Sequence, residues 1–265
     1  MRNNRRTIKQ IRKRMSVAAA VIVLLTGCQR SEVQRIETLA HKTEAEPVEI
    51  VIEQETEEKT EIIIEQTEQE EQEPAAEPLT LLFSGDVLLS DHVLNAYQKA
   101  GGVHGVVDDG YRQSISDADF FMVNQEFPFS SRGTQAPDKQ YTFRLPPEKV
   151  SIFTELGIDA VTLANNHALD FGQDALLDSC QVLDDAGILH TGAGADLEAA
   201  KKPVSFTWNG QDIAIIGATR VIPVADWAAG KNHPGMLATY DATVLVEEIR
   251  RLSETQDYVI VFVHW

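Results

Sequence analysis

Ala160-Val161-Thr162-Leu163-Ala164, followed by Asn165-Asn166-His167-Ala168-Leu169-Asp170-Phe171-Gly172 and then by Gln173-Asp174-Ala175-Leu176-Leu177, sets the plan of the globular part. A short apolar run suits a buried strand, and an apolar period resumes after Gly172 as a helix over Gln173–Ala186, closed by Gly187. Between them sits a polar knot. Asp170 is placed to cap the following helix, but neither the paired asparagines nor the histidine is demanded by a turn. Such residues at the carboxyl end of a buried strand point to a site, because open α/β sheets hold their ligands at that edge.

Working outward, the same alternation recurs. Strands are expected over Leu79–Ser84, Phe120–Asn124, Ile188–Thr191 and Tyr258–Val263, and helices over Pro147–Leu156 and Tyr240–Ser253. Val204–Trp208 and Asp212–Ile216 flank Asn209-Gly210, a type I′ hairpin signal. Strands alternating with helices, plus a hairpin, give an α/β domain with a mixed sheet over residues 79–265, about 187 residues and enough for one proper core.

Four of these strands end in polar residues. Gly85-Asp86 ends the first, Asn124-Gln125-Glu126 the second, Asn165-Asn166-His167 the third and His264 the last. One edge therefore collects carboxylates, an amide and imidazoles, with no thiolate, a donor set for Mn, Fe or Zn. Alone, Gly-Asp is a common turn and Asp170 a common cap; together the group is far more specific. Arg144, in Tyr141-Thr142-Phe143-Arg144-Leu145-Pro146-Pro147, suits either a phosphate or carboxylate clamp or a surface ion pair. Cys180 falls in an apolar helical period (Leu176, Leu177, Cys180, Leu183) and reads as a small buried hydrophobe.

The order Gly85-Asp86, Asn124-x-Glu126-x-Pro128, Leu163-Ala164-Asn165-Asn166-His167-x-x-Asp170-x-Gly172 and Val263-His264-Trp265 resembles the poly-γ-glutamate capsule biosynthesis (CapA) family, similar to calcineurin-like metallophosphoesterases. The resemblance implies a four-layer α/β sandwich with one or two divalent ions held between loops. It implies Asp86, Glu126, Asn166 and His264 as metal ligands and His167 as the catalytic acid facing the leaving group. Arg144, Asn124 and Asn165 are then expected to contact substrate, and metal-activated water to attack a phosphorus or acyl centre. Two departures stand out. The phosphoesterase pattern has Asp-x-His first, whereas Val87 and Leu88 follow Asp86. The family's last His-rich segment is not found before Trp265, and since the sequence stops on an apolar strand, a C-terminally truncated domain is expected. The function implied is synthesis, export or remodelling of a capsule or envelope polymer such as poly-γ-glutamate, alongside membrane-bound synthesis proteins. The competing reading is a non-catalytic surface component that binds or anchors the polymer.

The N-terminus adds an address. Seven basic residues between Arg2 and Arg14 precede an apolar run, Val17–Leu25, that falls short of the about 20 residues of a bilayer span. Leu25-Thr26-Gly27-Cys28 resembles a bacterial lipobox. Residues 1–27 are expected to be a cleaved signal peptide, with Cys28 lipidated and the protein extracytoplasmic on the cell membrane. Residues 28–78 form an acidic stretch without aromatic residues; residues 31–78 hold sixteen glutamates against Arg35, Lys42 and Lys59. Such a composition does not repay the entropy of ordering and suits a disordered tether, reaching roughly 40 Å. The remaining globular part is acidic as well, which argues against a nucleic-acid partner.

Overall fold

The computed structural model describes Ala20–Thr26 and residues 77–265. The expected tether and Cys28 lie outside the described residues. In chain order the strands are β1 (Ala20–Thr26), β2 (Leu81–Val87), β3 (Phe120–Gln125), β4 (Ala160–Thr162), β5 (Leu189–Thr191), β6 (Ala193–Gly194), β7 (Val204–Trp208), β8 (Gln211–Thr219), β9 (Gly235–Met236) and β10 (Tyr258–His264). The helices are α1 (Asp91–Ala100), α2 (Asp109–Asp117), α3 (Ser151–Leu156), α4 (Gln173–Ala186), α5 (Leu197–Ala200) and α6 (Thr243–Ser253). None of the helices among the described residues is long and apolar enough to cross a membrane.

Two four-stranded sheets face each other. One is parallel throughout, in the order β2-β3-β4-β5; the other runs β1-β10-β8-β7, antiparallel only in the β7–β8 hairpin. Side chains alternate across each strand, and this assigns the layers. Phe120, Met122 and Ala160 of the first sheet pack on Val204, Ile213, Ile215 and Ile260 of the second. The opposite faces of β3 and β4, with Phe121, Val123 and Val161, lie in one apolar cluster with Ile152 and Phe153 of α3 and Leu176 and Leu183 of α4. Outward residues of β8 and β10, among them Ile216, Ala218, Val261 and Val263, pack on Ala200 of α5 and Leu245 of α6. Helix, sheet, sheet, helix is the four-layer α/β sandwich expected of the metallophosphoesterase type.

Glycine sets how near the sheets come. A Cβ on Gly217 of β8 would lie 2.3 Å from Thr162 Oγ1 of β4 and 3.2 Å from Thr191 Cγ2 of β5, so only a bare backbone fits between them. The hairpin turns at Asn209 (φ 47°) and Gly210 (φ 79°), both left-handed as the I′ turn requires.

Several boundaries differ from the sequence reading. The helix expected over Pro147–Leu156 opens with a 3-10 turn, Pro147–Val150, before α3. That expected from Tyr240 begins at Thr243, where the Asp241 carboxylate accepts the Thr243 backbone N–H at 2.9 Å. Helices α1 and α2 had no forecast; neither holds a fully buried residue, and they lean on the core through half-buried Val93, Leu94 and Tyr97 of α1 and Ile115 of α2. Cys180 is partly covered, and burial pushes its thiol up to about 12, consistent with an inert packing residue. The apolar run read as a leader contributes β1, parallel to β10 with Thr26 opposite His264.

Candidate metal centre

The site forms where β2, β3, β4 and β10 end. In β2 the pairing register shifts between Phe83 and Asp86, an irregularity of the kind that re-aims a side chain, and it sets Asp86 opposite Asn124. Asn124 Nδ2 donates to Asp86 Oδ1 at 2.8 Å and lies 3.3 Å from His264 Nδ1. Asn165, in the turn after β4, donates from Nδ2 to Asn124 Oδ1 at 2.9 Å and to the Gln125 carbonyl at 2.7 Å. Its own Oδ1 accepts the His167 backbone N–H at 2.9 Å. That last bond is an Asx turn, so the turn does require Asn165, contrary to the expectation that local structure had no use for it.

These supports converge on His264. Its Nδ1 lies 3.7 Å from Asp86 Oδ1 and its Nε2 lies 3.5 Å from Glu126 Oε1 and 2.9 Å from Asn166 Oδ1. Ligand-type atoms of Asp86, Glu126 and His264 all fall within 4.8 Å of one another, with Asp86 exposed, Glu126 half-buried and His264 buried. Of the four residues implied as metal ligands, three thus surround the imidazole of the fourth. The set fits a divalent cation chemically: two carboxylates, an amide oxygen and an imidazole, all hard or borderline donors. The electrostatics agree. Hydrogen bonding with His264 holds the Asp86 carboxyl below its ordinary value against the effect of burial. Burial, and then the neighbouring Asp86 carboxylate, push Glu126 up. Two acids forced together in this way gain from a positive charge between them.

His167 stands beside this group, buried, its Nδ1 2.8 Å from Asp170 Oδ2. Phe143 packs on its ring with centroids 4.6 Å apart. Asp170 is fully buried and does not cap helix α4, whose N-cap is Gly172 without a side-chain hydrogen bond. Its carboxylate is turned inward instead. Oδ2 also accepts the Phe143 backbone N–H at 2.7 Å, and Oδ1 accepts from Lys139 Nζ. Burial outweighs that carboxylate for Lys139 and lowers its pKa.

Of the residues expected to contact substrate, two lie beneath the cluster and one lies over a neighbouring aromatic ring. Asn124 and Asn165 are wholly buried, with their amides bonded to the strand ends and to Asp86, so they shape the site from beneath. Arg144 lies over the Phe171 ring at 4.0 Å and donates from Nη1 to the Arg132 carbonyl at 2.8 Å; none of its described contacts reaches the cluster. Lys139 escaped the sequence reading, since one lysine in a polar loop carries no periodic signal.

Known proteins can now be set beside this geometry. The family model described as bacterial capsule synthesis protein PGA_cap matches residues 80–265. A probable polyglutamine synthesis accessory protein of Mycobacterium tuberculosis (strain H37Rv) is 32% identical over 157 residues, 56% of this chain and 41% of the relative. The capsule biosynthesis protein CapA of Bacillus anthracis is 28% identical over 199 residues, 71% of this chain and 47% of the relative. The PGA biosynthesis protein CapA of Bacillus subtilis is 28% identical over 191 residues, covering 71% and 49%. The chain spans less than half the length of these relatives. With the family match running through every strand end of the site, the chain belongs to the bacterial capsule synthesis protein family PGA_cap.

Proposed function

We propose that this protein is a lipid-anchored, metal-dependent component in the synthesis, export or remodelling of a capsule or envelope polymer such as poly-γ-glutamate. The observation that carries the metal reading is the convergence of Asp86, Glu126 and His264 within 4.8 Å, with Asn166 Oδ1 2.9 Å from the same imidazole. The polymer is suggested by the names of the relatives from Bacillus anthracis and Bacillus subtilis. Lipid anchoring rests on Leu25-Thr26-Gly27-Cys28 behind a basic flank. Cleavage before Cys28 would remove β1 and leave β10 as an edge strand.

Asp86, Glu126, Asn166 and His264 would hold the ion. When bound, a divalent cation supplies Lewis-acid polarisation of a phosphoryl or acyl oxygen and lowers the pKa of water. His167 keeps its Nδ1 on the Asp170 carboxylate, which fixes the ring and leaves Nε2 to give a proton to a departing oxygen or nitrogen. Phe143 against the same ring limits its rotation. Asn124 and Asn165 keep the strand ends at fixed spacing.

The test is titration of the purified chain with Mn²⁺ and Zn²⁺ by calorimetry after chelator treatment. Saturable binding that Asp86→Ala abolishes is the expected result. No binding by the unaltered chain would remove the metal reading and leave polymer anchoring without catalysis.

A further inference from the structure

The loop before α3 sends one lysine into the back of the site. Lys139 Nζ donates to the Asn166 carbonyl and to Asp170 Oδ1, and lies 3.0 Å from His167 Nδ1. Its side chain is only 15% exposed and that of Asp170 is 0% exposed. The Trp227 ring, itself buried, covers the ammonium with Nζ 5.2 Å from the centroid. One cation therefore touches the backbone of an implied metal ligand, the ring of the implied acid and the carboxylate that orients it. A surface ion pair would do none of these things.

We propose that Lys139 is a positioning residue that fixes both the tautomer of His167 and the direction of the Asn166 amide. The inference rests on the metal reading of the site only for its second half.

The hydrogen-bond inventory sets out the first half. Asp170 accepts from Lys139 on Oδ1 and from Phe143 N–H on Oδ2. An ammonium has donors and no lone pair, and an ionised carboxylate only accepts. His167 Nδ1 faces both, at 2.8 Å from Asp170 Oδ2 and 3.0 Å from Nζ. It can donate to the carboxylate or accept from the ammonium, but not both. Lys139 has already placed two of its three protons on Asp170 and on the Asn166 carbonyl, and the Trp227 face lies near for the third. The shorter, charge-assisted contact to Asp170 then takes the Nδ1 proton. This leaves Nε2 as the ring atom that exchanges protons in the site.

For the second half, a donor on the Asn166 carbonyl pins the peptide from which the amide arm springs. The arm's Oδ1 is the atom 2.9 Å from His264 Nε2. Partners that orient metal ligands in this way are typically worth 10–100-fold in affinity.

The experiment is imidazole ¹⁵N NMR of the full chain and of Lys139→Met, combined with Mn²⁺ titration of both. In the unaltered chain His167 should show a protonated Nδ1 and a bare Nε2 in its neutral form. Lys139→Met leaves Asp170 Oδ1 without its donor, so the carboxylate is free to turn its Oδ2 away from His167 Nδ1, and a mixture of tautomers is expected with about tenfold weaker Mn²⁺ binding and unchanged far-UV circular dichroism. A bare Nδ1 in the unaltered chain overturns the proposal, and that measurement stands even if Lys139→Met fails to fold. A folded Lys139→Met that keeps a single tautomer and native Mn²⁺ affinity overturns it as well. Should the unaltered chain bind no Mn²⁺, the metal reading fails by itself, and the tautomer still decides the role of Lys139 toward His167.

Discussion

The amide of Asn165 donates to the side-chain oxygen of Asn124 at 2.9 Å, and both residues are completely shielded from solvent. This bond joins the turn after β4 to the end of β3. Asn165→Ala would strand the Gln125 carbonyl, Asn124 Oδ1 and the His167 N–H at once. Each buried group left without a partner costs about 1–3 kcal/mol. A loss of about 3 kcal/mol in urea denaturation is expected after relaxation, with weakened Mn²⁺ binding. A loss below about 0.5 kcal/mol, the range of ordinary surface changes, would show that the bonds carry no such weight.

Asp86 and His167 should separate ligation from proton transfer. Asp86 Oδ1 approaches His264 Nδ1 at 3.7 Å and Asn124 Nδ2 at 2.8 Å, whereas His167 is engaged by Asp170. Calorimetry should find Mn²⁺ affinity lowered at least tenfold by Asp86→Ala and changed little by His167→Ala. The reverse order would exchange their roles.

Glu126 gives a pH dependence. Burial first, and the Asp86 carboxylate second, raise its pKa from the ordinary 4.5. A raised acid means that the folded state holds the proton more tightly than the unfolded chain. In chelator-treated protein its ionisation therefore opposes folding, and stability falls as pH rises from 4.5 through the raised value. Asp86, held below its ordinary value by His264, acts in the opposite sense: its contribution is present above the ordinary value and is lost on acidification through the lowered one. Glu126→Gln removes the first effect alone. It should melt higher than the unaltered chain near neutral pH without metal, yet bind Mn²⁺ more weakly. Melting curves from about pH 5 to about pH 8 check this, and identical pH profiles for the two proteins would refute it.

Cys28 should be the first residue of the processed protein and carry a diacylglyceryl group. Two acyl chains suffice for stable anchoring where one is marginal. Mass spectrometry of the mature N-terminus and membrane fractionation of Cys28→Ser supply the measurement. The variant should keep its leader or appear in the soluble fraction, and an intact Met1 in the unaltered product would count against processing.

The parts of this molecule written in repeated local signals were readable from the sequence. Helix α4 lies where its apolar period and Gly187 placed it, and the hairpin turns at Asn209-Gly210. The strand ends carrying Asp86, Glu126, Asn166 and His264 do meet, because a buried run followed by polar residues marks a sheet edge. Asp170 does not act as the cap expected of an acid just ahead of a helix, three residues before Gln173; it answers instead to Lys139, thirty-one residues earlier. The stacking of Arg144 on the Phe171 ring was equally silent in the sequence, where its charge speaks only of anions or ion pairs. Contacts between distant loops leave no period in the sequence, and Lys139 belongs wholly to that class.

The missing side chain at Gly217 acts on the site from a distance. Its backbone sits against Thr162, the last residue of β4, immediately before the turn that carries Asn165 and Asn166. On the neighbouring strand of its own sheet, Phe262 is paired with it, two residues before His264. The two sheets thus behave like the jaws of a clamp with a tight contact just behind its tips. A single methyl at residue 217 would work as a wedge there, and the opening would grow toward the tips, drawing His264 on one jaw away from Asn166 on the other without altering a single residue of the cluster.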